Sequence, residues 1–75
     1  MSEFKWHLMD EEVPPTGYGH YIIMGRRGAM YYADSYEPVP YMSCYHFHVP
    51  NNRDKYKYDY EVKAWAEIPM PEVQQ

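Results

Sequence analysis

The chain has 75 residues and a formal net charge of −4, with eleven Asp and Glu against seven Lys and Arg. One domain of this length buries only about 60–65% of the surface its unfolded chain exposes, which leaves no room for a two-lobed enzyme with a deep cleft. Residues 1–16 carry −3 and residues 67–75 carry −2, so the span between them sums to +1. That is too weak for the clustered basic face of a nucleic-acid binder, and it is also unlike a uniformly acidic DNA mimic.

Ten Tyr, two Trp and two Phe dominate the large residues, which suits a thin sheet whose hydroxyls reach water at the rim. Cys44 stands alone, so no disulfide can staple the chain, as small secreted domains usually require. The opening Met1-Ser2-Glu3-Phe4-Lys5-Trp6 lacks the basic start and apolar run of a signal peptide. The longest aliphatic run, Ile22-Ile23-Met24, is far short of a membrane span. The expectation is one domain over residues 1–75, cytoplasmic and outside any membrane.

In chain order, Phe4, Trp6 and Leu8 alternate as in a strand, yet Phe4 and Leu8 also fit one helical face. Pro14-Pro15 stops whatever precedes it. Tyr18 to Met24 alternates, with β-branched and aromatic residues prominent, and Ala29 to Ala33 follows after Gly25-Arg26-Arg27-Gly28. Two strand-like runs about a short loop ending in Gly predict a hairpin, with Gly28 as the left-handed residue.

Residues 34–40 (Asp-Ser-Tyr-Glu-Pro-Val-Pro) read as a loop, because two prolines cannot donate to a ladder. Tyr41 to Val49 reads as the next strand, with Tyr41, Ser43, Tyr45, Phe47 and Val49 toward the core. Pro50 to Asp54 is a turn. From Lys55 to Val62, Tyr56, Tyr58, Tyr60 and Val62 alternate with charged residues, which predicts a half-buried antiparallel strand. Pro69 and Pro71 then impose an extended tail.

The two ends together resemble a family of short domains of unknown function found mainly in bacteriophages and prophages. Trp6 is followed after six residues by Val13-Pro14, where the family has Leu-Pro. The close, Val62-Lys63-Ala64-Trp65-Ala66-Glu67-Ile68-Pro69-Met70-Pro71-Glu72, keeps the family's register at Val62, Trp65, Ile68, Pro69 and Pro71. Ala64 stands where the family has His, and Glu67 where it has Pro, so no role of that His carries over. The span 36–55 is longer than is usual in the family. The resemblance implies a phage origin and a small fold, with no activity attached. The matching apolar residues Trp6, Val13, Trp65 and Ile68 are expected to close one core over the hairpin.

Cys44-x-His46-x-His48 would project three side chains from one strand face, and thiolate with imidazole suits zinc. A structural site needs four ligands, however, and the usual Cys-x-x-Cys or His-x-x-x-His spacings are missing. No resident metal or cofactor is expected. A catalytic Cys44–His46 pair lacks an orienting third residue and oxyanion donors. Gly25-Arg26-Arg27-Gly28 has neither Walker nor dinucleotide spacing, but two arginines at a hairpin tip can grip a phosphate or carboxylate. Asp10-Glu11-Glu12 reads as a solvated acidic run. Tyr32, Tyr36 and Tyr41 are the expected contact tyrosines, since exposed Tyr beside Arg suits interfaces.

The sequence therefore predicts a mainly β domain: a three- to five-stranded antiparallel sheet with a central hairpin and a Pro-rich extended C-terminal tail. A short N-terminal helix, making a small α+β arrangement, stays open. The functional expectation is a non-enzymatic, phage-derived accessory protein that binds a host or phage macromolecule, with Arg26, Arg27, Tyr32, Tyr36 and Tyr41 at the contact. Interference with a host system falls within that class. The alternative is sequestration of a small nucleotide or anion by aromatic rings and the arginines, and a metal-dependent enzyme comes third. Free sheet edges and surplus tyrosines point to a homodimer.

Overall fold

The computed structural model describes residues 5–69. Among them, six strands form one antiparallel sheet: β1 (His7–Leu8), β2 (Gly17–Gly25), β3 (Met30–Pro38), β4 (Tyr45–His48), β5 (Tyr56–Tyr58) and β6 (Val62–Glu67). A 3-10 turn, Asp59–Glu61, joins the last two. The spatial order is β1-β6-β2-β3-β4-β5. The mainly β, antiparallel architecture is as the sequence predicts. The strand number exceeds three to five because the expected strand from Lys55 to Val62 splits at the 3-10 turn into β5 and a separate β6 that runs on to Glu67. The strand-or-helix pattern through Phe4 and the tail at Pro71 lie outside the described residues.

The hairpin forms where the alternation places it, with Met24 opposite Met30 and Tyr21 opposite Ala33. Its tip closes through Gly28 N–H to Gly25 C=O (3.0 Å) and Gly25 N–H to Ala29 C=O (2.7 Å). Gly28 has φ 95°, a conformation that strains any residue with a Cβ. Near its start β2 slips register between Tyr18 and Tyr21. The Tyr21 ring lies over Gly19 there, where a Cβ would sit 2.5 Å from the hydroxyl.

β6 runs between β1 and β2, with Trp65 opposite both His7 and Ile23. Its Val62, Ala64, Trp65 and Ala66 are all buried, as a central strand covered on both sides requires. Its connection to β5 fixes the shape of the sheet. Four strand spacings of about 4.8 Å would separate β5 from β6 by about 19 Å in a flat sheet. The four residues from Tyr58 to Val62 span at most about 14 Å. The sheet must therefore curl, returning β5 toward β6 and enclosing a concave side. Lys57 Nζ on β5 lies 4.9 Å from the ring centroid of Tyr31 on β3, across that concavity.

The concave side holds the core. Phe47, Ile23, Val49 and Val62 are essentially inaccessible, and Ala33, Tyr21, Tyr36, Trp65 and Met9 complete the cluster. Trp65 meets Tyr21 edge-on at 5.6 Å, Tyr21 meets Phe47 at 6.3 Å, and Phe47 meets Tyr36 at 4.7 Å. The Trp65 indole N–H donates to the Glu12 carbonyl (2.8 Å) and its ring stacks on His7 at 4.4 Å, clasping the N-terminal arm. A further backbone bond, Met9 N–H to Lys63 C=O, holds that arm to β6.

Four expectations need correction. Of the four residues expected to close the core, Trp65 is buried, but Trp6 is 37% and Val13 53% exposed. Buried Pro14 and Met9 occupy the arm's inner side instead. Residues 34–38 are strand rather than loop. Tyr36 pairs with Phe47 and Gly17, and Pro38 sits at the last position of β3, where a missing N–H does little harm. Residues 41–44 are turn, and β4 is confined to 45–48, with Phe47 and Val49 inward as expected. The alternating run from Lys55 to Val62 is broken by the 3-10 turn. In β5 Lys57 rather than the tyrosines lies opposite Phe47, Tyr56 and Tyr58 pair with His48 and His46, and Tyr56 and Tyr60 are about half exposed.

Candidate functional site

At one mouth of the curled sheet lies a groove of about 440 Å³. Its apolar part is Val62, buried at the start of β6, with Gly25, Ala29 and the Tyr31 ring. Its polar rim is Arg26 and Arg27 from the hairpin tip, Lys57 from β5, and Tyr60 with Glu61 from the 3-10 turn. Gly28 lets the hairpin close tightly enough to project both arginines there. Arg26 Nε donates to the Tyr60 carbonyl at 2.8 Å, tying the tip to the 3-10 turn across 34 residues. Tyr60 in turn stacks on Tyr58, with centroids 5.4 Å apart and planes within 7°. The rim is thus braced before any ligand arrives, which lowers the ordering cost of binding.

Three cations and one carboxylate line this volume, giving it a positive field within an acidic chain. Low-dielectric walls concentrate such a field. Lys57 keeps its ammonium over Tyr31, an arrangement worth about 0.5–1 kcal/mol at an exposed site. A smaller concavity of about 250 Å³ adjoins it behind Arg26 and Tyr60, and is lined by Met9, Asp10, Val13 and Asp59. Arg26 therefore also borders Asp10 and Asp59, while Arg27 and Lys57 line the larger groove with Glu61.

A third concavity, about 320 Å³, lies over β3, β4 and β5. His48 Nδ1 and Asp34 Oδ1 are 2.7 Å apart, which orients the imidazole, and Tyr56 stacks on His46 at 4.4 Å. Burial lowers the pKa of His46, with Glu37 opposing that shift. Ser35 lies opposite His48 in the ladder, and among the described residues no hydrogen bond joins their side chains.

The expected site residues separate. Arg26 and Arg27 meet at the groove as the hairpin predicts. Tyr32 is half-buried, its hydroxyl 2.7 Å from His20 Nδ1. Tyr36 is not a contact residue: it is 2% exposed, between Phe47 and Tyr45. Burial first, then the negative charge of Asp59, pushes its pKa up to about 12. Tyr41 is fully exposed in the β3–β4 turn with φ 71°. Tyr36 is buried and so shares no surface patch with Tyr32 and Tyr41, and the edge strands β1 and β5 have two and three residues. Cys44 lies in the turn before β4 rather than on one strand face with His46 and His48. Among the described residues no three His, Cys, Asp or Glu side chains are placed to hold a metal ion.

Tyr31, Lys57 and Tyr60 are the groove residues that sequence reasoning missed. Lys57 read as a wet strand face and Tyr60 as core, because the break at Asp59 was not recognised. Asp59 is the one available signal, as a residue type depleted in strands; its carboxylate accepts from Tyr45 N–H at 3.2 Å, a tertiary contact across 14 residues that no local pattern announces.

No protein-family model, curated protein or solved structure matches the chain. Among the described residues no helix is long and apolar enough to cross a membrane.

Proposed function

We propose that this chain is a non-enzymatic binding protein that holds an anionic ligand in the groove at its hairpin tip. The observation that carries this reading is the convergence of Arg26, Arg27 and Lys57 on an apolar-floored concavity of about 440 Å³. That volume lies within the roughly 300–1,000 Å³ of small-ligand sites, which combine apolar lining with a few placed polar groups. An arginine fork and an ammonium supply charge-assisted bonds to phosphate or carboxylate. The resemblance to short phage and prophage domains supplies the setting, an accessory protein in the cytoplasm of a bacterial host.

Calorimetric titration with inorganic phosphate tests this. Binding should disappear in an Arg27→Ala, Lys57→Ala double variant and persist in Arg53→Ala, which removes an exposed arginine outside the groove. Equal binding by all three proteins would refute the groove as the site.

One observation favours a second reading, a macromolecular partner docked on the β3–β4 turn. Tyr41 is fully exposed in a left-handed backbone conformation uncommon for a bulky side chain, and Met42 beside it is 49% exposed. A partner recovered by affinity capture with the wild-type chain and lost with Tyr41→Ala would support this reading.

A further inference from the structure

We infer that the ligand of the groove is a nucleoside monophosphate, its base stacked on Tyr60 and its phosphate clasped by Arg27 and Lys57. This inference rests on the anion-binding reading above and deepens it. A groove of about 440 Å³ is far larger than the volume of a few waters, so a single tetrahedral anion would leave its apolar part unfilled. The ligand should therefore carry a flat apolar body as well as charge. Tyr60 offers the surface: its ring is 56% exposed, borders the groove, and is backed on one face by Tyr58 at 5.4 Å. A base on the remaining face would extend that two-ring stack to three. The Arg26–Tyr60 bond holds the stack at a set distance from the cationic tip, so both subsites are positioned together.

The surroundings also limit the ligand's length. Glu61 sits on the rim, and Asp10 and Asp59 line the concavity directly behind Arg26. These carboxylates set negative charge beside the groove, which raises the cost of each further phosphate. The site is thus built for one phosphate, and a polynucleotide or a triphosphate is disfavoured by like-charge repulsion.

The test is calorimetric titration of the full chain with AMP, ribose 5-phosphate, adenosine and ATP. AMP should bind roughly 5- to 150-fold more tightly than ribose 5-phosphate, the range expected for one base–aromatic stack. Adenosine should bind more weakly than AMP, and ATP no more tightly than AMP. Tyr60→Ala should erase the preference for AMP over ribose 5-phosphate while leaving ribose 5-phosphate binding intact. Arg27→Ala should weaken both. The exposed position of Tyr60 makes an unchanged unfolding midpoint the check that Tyr60→Ala is folded. Equal affinity for AMP and ribose 5-phosphate would overturn the nucleotide inference and leave the anion-binding reading standing. Adenosine binding as well as AMP would overturn the phosphate clasp, and tighter binding of ATP would overturn the single-phosphate limit. Binding of none of the four would remove both readings.

Discussion

Replacing Trp65 separates two contributions that the structure assigns to one side chain. Its ring is 5% exposed, packed edge-on to Tyr21 and stacked on His7, and its indole N–H donates to the Glu12 carbonyl. Trp65→Ala loses all of these, and truncating a buried Trp costs about 3–5 kcal/mol. A 75-residue domain has on the order of 4–11 kcal/mol in total, scaling by length. The variant should therefore lose at least about a quarter of its stability, and fails to fold if the total lies at the low end of that range. Trp65→Phe keeps most of the ring packing but orphans the Glu12 carbonyl, a loss of about 1–3 kcal/mol. Urea denaturation followed by far-ultraviolet circular dichroism reads both. With a slope near 1 kcal/mol per molar for so small a chain, the Phe variant should shift the midpoint by about 1–3 M. Amide exchange at Met9, whose N–H bonds Lys63, should accelerate in Trp65→Phe if the indole clasps the arm. A Trp65→Ala midpoint within a few tenths molar of wild type would refute the placement of Trp65 in the core.

Two further outcomes follow from the same packing. Gly19→Ala would set a Cβ 2.5–2.7 Å from the Tyr21 ring, and because Tyr21 is itself buried the overlap should cost about 1–3 kcal/mol, read as a lowered melting temperature; an unchanged melt would contradict that ring position. Tyr36 has its pKa raised from 10.0 to about 12, so the folded state holds the phenolic proton more tightly than the unfolded state does. That contribution is complete below pH 10 and is lost as pH rises through about 12, so alkaline denaturation should steepen there and soften in Tyr36→Phe. Ultraviolet titration showing Tyr36 ionising with the exposed tyrosines would contradict its burial.

The hairpin and the inward side of β4 were legible because alternation, turn glycine and aromatic content agree at Tyr18–Ala33 and Phe47–Val49. The strand through Ser35 and Tyr36 was not, since two prolines nearby suggested a loop, and only pairing on both sides by β2 and β4 overrides that local signal. The run from Tyr56 to Val62 misled for a related reason. A period of two persists in the letters, while the chain must turn at Asp59 to pass from the β5 edge to β6, beside the opposite edge strand β1. Two side chains of the candidate site, Arg26 and Arg27, could be read from the hairpin tip. Tyr31, Lys57 and Tyr60 could not, because they meet only through the curl of the sheet, which no local pattern encodes.

Two-dimensional amide NMR during titration with inorganic phosphate tests the central claim most directly. The account predicts saturable shifts concentrated at Gly25 to Tyr31, Lys57 and Tyr60 to Val62, suppressed in the Arg27→Ala, Lys57→Ala double variant. Shifts centred instead on His46 and His48, or no saturable shifts anywhere, would contradict it.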